Sequence, residues 1–340
     1  MNLLILLAGL VGLTFATSAA TNTVTGRPTG PDMRSAPASP CTNLEMHPFL
    51  YAGEFQNQNG DYFDNQKVYL VRNGKILWTY NVTKASIGGK LVELGDISMK
   101  SNGHIVMSLG WGGAREIIPD YDHPADSKIV WSCRADEQVH TAQPIGLDKI
   151  FVIDKSKKPK AKLFDQTTGS VRLWDLPTAG TDAHGMFRHC RMTKSGTLLI
   201  AHMNMAKVVE YDAQTMTPIW RCTNLPNAWA AVRLKNGNTL VSGNENRWVR
   251  EVNAQGRIVW EFNNHDLPAG SGFNLGNVQE CDRLANGNTV ICTWRGDPSL
   301  LEITPGKKIV WMLPKSILGN SSSIQLLDEP GAMEEGDLQR

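Results

Sequence analysis

Between about residue 47 and residue 328 the chain runs as short apolar stretches, each cut off by a glycine-containing pair. The clearest unit reads Trp229 to Leu234, a turn at Asn236-Gly237, Thr239 to Ser242, Trp248 to Val252, and Arg257 to Phe262. Runs of this length, rich in Val, Ile, Leu and Trp and bounded by Asn-Gly, read as antiparallel strands rather than helices. Asn-Gly tolerates the positive φ that a tight hairpin demands. The pair recurs as Asn102-Gly103 and Asn286-Gly287, with Ser195-Gly196 in the same place in another unit. A second turn, before the last strand of a unit, stands at Asn73-Gly74, Thr168-Gly169, Gln255-Gly256 and Pro305-Gly306.

The last strand of each unit carries a tryptophan: Trp78, Trp131, Trp174, Trp220, Trp260 and Trp311, at spacings of 53, 43, 46, 40 and 51 residues. One such period per four-stranded blade predicts an all-β fold, a β-propeller of six blades, with seven as the competing count. The third blade is shortened around Leu147-Asp148, and the first lacks an inner strand. Ser323 to Leu327 can supply it, which would close the ring by pairing the N- and C-terminal strands and remove exposed edges. The six tryptophans are expected to pack between blades.

Leu3 to Ala16 is almost wholly apolar, too short to span a bilayer, and is followed by Ser18-Ala19-Ala20. Residues 1–20 are therefore read as a signal peptide, 21–40 as a disordered Thr/Ser/Pro-rich leader, and 41–340 as one propeller domain. The expected location is secreted or periplasmic. With 34 basic and 33 acidic residues the net charge is +1, which argues against a nucleic-acid partner, and no other segment is apolar enough for a membrane span. The five lysines of Lys155 to Lys162 read as a solvated loop. Of six cysteines, Cys281 and Cys292 flank Asn286-Gly287 symmetrically and would face each other if that pair centres the hairpin; a disulfide across adjacent strands is geometrically demanding, so two buried free thiols are an equal reading. No CxxC or zinc spacing assigns a metal ligand.

Arg257-Ile258-Val259-Trp260 and the two turns Asn236-Gly237-Asn238-Thr239 and Asn286-Gly287-Asn288-Thr289 resemble the propeller group that includes quinoprotein-like and arylsulfotransferase-like repeats. The resemblance spans residues 47 to 328 and implies fold rather than chemistry. Quinoprotein dehydrogenases of this kind are larger and eight-bladed. The chain shows no adjacent Cys-Cys and no calcium-and-quinone set, so no cofactor is expected and pyrroloquinoline quinone (PQQ) least of all. An arylsulfotransferase-like member would transfer sulfuryl groups through a histidine.

Aligning the blades on the turn glycine places Asp96, Arg188, His189, Trp229, Gln279 and Glu280 at the start of inner strands, with Gln143 and His140 at that level in blade three and Gln325 on the closing strand. Inner strands surround the channel, so these residues converge on one mouth. A mixed polar set with an aromatic suits a carbohydrate or another small polar ligand. His184-Gly185-Met186-Phe187-Arg188-His189-Cys190-Arg191 is the densest stretch, and His202 and Asn204 follow on the next strand. Arg188 could neutralise a uronate carboxylate while His189, with His140 and His184 as further candidates, moves a proton. Uronate β-elimination is one reading, sulfuryl transfer a second, and a non-catalytic scaffold for a protein partner a third.

Overall fold

The computed structural model describes residues 40–134, 138–178, 185–328 and 334. His184 therefore lies outside the described residues, as do the apolar run and the leader up to residue 39. Six four-stranded antiparallel sheets make six blades. From inner to outer strand, blade one is Asn320–Leu326, Phe49–Glu54, Asn65–Arg72 and Lys75–Thr83. The inner strands of blades two to six are Ile97–Met99, Ala142–Ile145, Arg191–Met192, Ala228–Arg233 and Asn277–Arg283. The C-terminal strand is thus the innermost strand of the first blade, paired antiparallel to Phe49–Glu54 with Phe49 opposite Leu326 and Ala52 opposite Ser323. The ring closes as the repeat pattern predicts.

The tryptophans explain the blade period. Nε1 of Trp78, Trp174, Trp220, Trp260 and Trp311 donates to the carbonyls of Asp120, Ala213, Ala254, Pro305 and Asn43, each in the following blade. In four blades a glutamate sits opposite the tryptophan on the third strand: Glu116, Glu210, Glu251 and Glu302. Each reaches a side chain of the next blade as well: Gln166 at 2.6 Å, Arg233, Arg283 at 3.0 Å, and His47 at 3.0 Å. Arg233 and Arg283 in turn lie over the rings of Trp220 and Trp260, at 4.8 and 5.1 Å. Trp131 packs instead on Phe164 of the following blade at 5.2 Å, so each of the six tryptophans is a fastener between blades.

The inner turn decides between the two readings of Cys281 and Cys292 in favour of buried free thiols. Gly103, Gly196, Gly237 and Gly287 take φ of 80–88°, while the preceding residues keep negative φ. Asn286 Oδ1 instead accepts the Asn288 N–H at 2.8 Å, and the Leu284 N–H bonds the Asn288 carbonyl. The turn is centred on Asn286 alone, not on the Asn286-Gly287 pair. That half-step sets Cys281 opposite Ile291 and Cys292 opposite Glu280. A one-residue slip moves a side chain to the other face of a sheet, so Cys281 packs in the core against blade five and Cys292 in the core against blade one. All six cysteines are free thiols.

Candidate functional site

Inner strands run from the mouth inward, so residues just before or at their starts gather at that end of the channel. The uppermost tier holds Glu93, Gln138, His140, Lys155, Arg188 and Trp229. The Arg188 guanidinium lies 4.7 Å from the Trp229 ring centre. His140 meets the same indole edge-on at 6.0 Å, and its Nε2 lies 3.7 Å from a Glu93 carboxylate oxygen. Glu93 also accepts from the Gln138 amide, whose oxygen accepts from Lys155 Nζ at 3.3 Å. Burial pushes the Glu93 carboxyl up, opposed by the positive charges of Lys155 and Arg188. Lys155 is 1 % exposed, so the first of the five lysines belongs to the mouth and not to a solvated loop. Of the later ones, Lys160 pairs with the exposed Asp175 and Lys162 with the buried Asp154. Glu54, on the second strand of blade one, extends this tier. It accepts the Leu94 N–H at 2.6 Å, and burial together with Glu93 drives its carboxyl well above the usual range.

One step inward, Arg191 forms a fork with Asp96, at 2.7 and 2.9 Å, and reaches Glu280 at 3.1 Å. His189 Nδ1 lies 3.3 Å from Asp96 Oδ1 and 3.9 Å from Glu280 Oε1 without an aligned hydrogen bond, and Nε2 has no partner among the described residues. Both carboxylates also hold backbone of the next blade: Asp96 accepts the Ala142 N–H at 3.0 Å and Glu280 the Ile324 N–H at 3.1 Å. Burial lowers the His189 imidazole to about 4 despite Asp96, so it is neutral at pH 7. Burial, aided by Asp282 and Asp96, pushes Glu280 up to about 8 against the pull of Arg191. Asp96, His189 and Glu280 offer ligand atoms within 4.8 Å of one another, a spacing open to a metal ion. The bridging guanidinium already supplies the positive charge there, and a dication would have to displace it. We therefore read this tier as an ion-pair network.

The remaining predicted residues divide. Gln143 accepts the Met192 N–H at 2.8 Å and donates to the Met192 carbonyl at 3.0 Å. Gln325 does the same at Met99, at 2.5 and 3.2 Å. Both amides are spent on tying adjacent inner strands. Gln279 is 6 % exposed, and its carbonyl accepts from Ser242 of blade five. Asn204 is exposed on a short turn beside Gly185. His202 is fully buried, bonded to the Tyr211 hydroxyl at 3.0 Å and packed on Phe187 at 5.4 Å, inside the blade and not in the channel.

Burial lowers His202 to about 3 from 6.5. A depressed histidine adds stability that is complete above 6.5 and drains away as pH falls toward its folded value, because the unfolded chain then binds more protons. In His202→Gln the loss of stability between about pH 6.5 and pH 3 is expected to be shallower than in the parent. Thermal unfolding across that range reads it; an unchanged slope would remove His202 from the acid response.

Sequence reasoning missed Arg191, Glu54, Glu93, Gln138 and Lys155. Arg191 had a signal, since it shares a strand face with His189 two residues away. The others come from loops and second strands whose approach to the mouth no spacing announces.

No protein-family model matches the chain, and no curated protein matches it. Solved structures do. A protein of unknown function from Bacteroides caccae aligns over 82 % of this chain and 98 % of its own, with TM-score 0.66 and 22 % identity. A catalytically inactive virginiamycin B lyase from Staphylococcus aureus, solved with quinupristin, aligns over 81 % and 87 %, with TM-score 0.52 and 10 % identity. The β-propeller domain of Myceliophteria thermophila Cps50 (Swd1) aligns over 78 % and 86 %, with TM-score 0.51 and 16 % identity. At such identities the likeness shows the propeller fold alone. No helix among the described residues is long and apolar enough to cross a membrane.

Proposed function

We propose that this propeller binds an acidic carbohydrate, or a similarly hydroxyl-rich anion, at the channel mouth. The observation that carries the reading is the gathering of Arg188, Trp229, His140 and Glu93 around one indole ring. Arginine on an aromatic face is a weakly hydrated donor matched to a carboxylate, and sugar hydroxyls pair with both donors and acceptors. If the bound uronate is cleaved, His140 is better placed than His189 to move the proton: both imidazoles are buried, but His140 lies 3.7 Å from the partly exposed Glu93 carboxylate, whereas His189 neighbours the buried Asp96 and Glu280. The apolar run Leu3 to Ala16 supports an exported protein, and N-terminal sequencing of the mature chain would test cleavage after Ala20.

Arg188→Gln should weaken oligogalacturonate binding by roughly ten- to a hundredfold, the worth of one charge-assisted contact, and Trp229→Ala, which removes the ring that carries the guanidinium, should weaken it as well, with the unfolding transition retained. Calorimetric titration measures it; parental affinity in both variants would sink the assignment.

A second reading, a protein partner, is favoured by the outer edges. Ile76, Leu77, Ile129, Val130, Ile258 and Val259 are all more than 40 % exposed. No oligosaccharide binding by the parent chain, alongside loss of a co-purifying protein after Ile258→Ser with Val259→Thr, would shift the proposal to that surface.

A further inference from the structure

A cleft of about 510 Å³ opens beside the mouth, between the 55–60 loop of blade one and the segments around Arg295 and Lys315 of blade six. Its volume lies in the range of small-molecule sites, roughly 300–1,000 Å³. The wall is amide-rich, with Gln56, Asn57 and Asn320 among its residues, and Glu54 at its edge joins it to the buried acids of the mouth. Both cations are exposed, and neither makes an ion pair among the described residues.

Arg295 is held in place. It takes a left-handed backbone, φ 61°, its N–H donates to Asn320 Oδ1 at 3.0 Å, and its guanidinium lies over Trp294 at 4.1 Å and reaches Gln56 Oε1 at 3.5 Å. Gly60 leaves room for it, since a Cβ there would come within 2.9 Å of the guanidinium. Tyr62, from the same loop, stacks on Trp294 at 6.2 Å. The Lys315 backbone N–H donates to Asp297 Oδ1 at 3.3 Å. Burial keeps the Glu54 carboxyl toward its neutral form, so it can donate a hydrogen bond instead of repelling an anion.

We infer that this cleft is a second subsite, in which Arg295 and Lys315 hold an oxyanion, carboxylate or sulfate, of an oligosaccharide whose hydroxyls the surrounding amides bind. The inference rests on the ligand class proposed above and adds to it a place for a second charged sugar. An amide offers a donor and an acceptor side by side, which suits a pair of neighbouring hydroxyls. Arginine supplies the planar fork and lysine a point charge.

The test is calorimetric titration of the full chain with trigalacturonate, a sulfated disaccharide and maltotriose. An oxyanionic ligand is expected to bind at least about tenfold tighter than maltotriose, the gain of one charged contact, and whichever of the two does so identifies the anion. In Arg295→Ala with Lys315→Ala that preference should fall by about tenfold, the share of the cleft contact, while the Arg188 contact and maltotriose affinity stay. Asn320→Asp, which sets a negative charge in the wall and keeps the side-chain shape, should lower oxyanion affinity in the same direction. If the preference is undiminished in the double substitution but is lost in Arg188→Gln, the cleft subsite is wrong and the mouth reading stands. If no ligand binds the parent chain, both fall.

Discussion

A chain ended after Gly319 is expected not to fold cooperatively. The missing strand, Asn320–Leu326, is the inner strand of blade one and completes the ring. Its removal takes Ile324 and Leu326 out of the core and strips the cover from Phe49 and Tyr51, all at most 4 % exposed. Four large apolar side chains at roughly 1.5–3 kcal/mol each amount to about 6–12 kcal/mol, as much as the whole stability of a typical domain, about 5–15 kcal/mol. The cut also removes the Ile324 N–H from Glu280 and the Gln325 amide from Met99, leaving buried polar groups in two neighbouring blades. Chemical denaturation followed by circular dichroism would read the result as a shallow, non-cooperative transition. Residues 320–340 added as a separate peptide should restore a cooperative one by strand addition. Parental stability of the shortened chain would mean that the ring does not depend on this closure.

Arg191→Met is expected to be the most damaging single substitution at the channel, costing roughly 3–5 kcal/mol. The guanidinium pairs both Asp96 and Glu280, with Asp282 close enough to raise its proton affinity further. Without it, two carboxyls remain buried with no cation bridging them. Glu280 already titrates near 8. A raised carboxyl favours the folded state while protonated, so its contribution is present below the unfolded value and is lost as pH rises through about 8. The deficit of Arg191→Met should therefore be largest at or above pH 8 and shrink on acidification toward pH 5, as the unpaired acids take up protons. Adding Asp96→Asn and Glu280→Gln to the same chain should recover much of the loss, since neutral groups remove the uncompensated charge. Urea unfolding at both pH values measures this. A deficit under about 1 kcal/mol at pH 8, the ordinary size for a point substitution, would show that Arg191 is not what neutralises the channel.

The blade pattern was readable because each strand carries local information. Trp229 to Leu234, Thr239 to Ser242 and Trp248 to Val252 match the observed strands to within a residue at most ends. Turn identity was readable too, but turn centring was not. Asn286 sits in a side-chain turn to the Asn288 N–H while Gly287 alone takes positive φ, and that half-step sent Cys281 and Cys292 to opposite faces. At the mouth, alignment on the turn glycine brought Asp96, Arg188, His189, Trp229 and Glu280 to one end, and they do meet there or just beneath. The same alignment could not tell a side chain aimed at a ligand from one spent on the next blade. Gln143 and Gln325 have the level and chemistry of ligand residues, and both tie neighbouring backbones. Glu54, Glu93 and Lys155 reach the mouth from outside the inner strands, where no periodicity marks them.

Apart from the choice of six blades over seven, which the closed ring decides, strand order within a blade, the role of the recurring tryptophan and the need for a C-terminal closing strand all follow from the order of residues. Each depends on contacts within one repeat or between consecutive repeats, and the repeat is written six times. The Arg191–Asp96–Glu280 network joins residues 95 and 89 positions apart, and the Arg295–Asn320 bond and the cleft beside Gln56 join the two ends of the chain. Those groups meet only because the ring closes, and closure also withdraws them from water. Burial then sets their charge: it makes His189 neutral, moves Glu280 toward neutrality, and leaves Arg295 and Lys315 facing solvent.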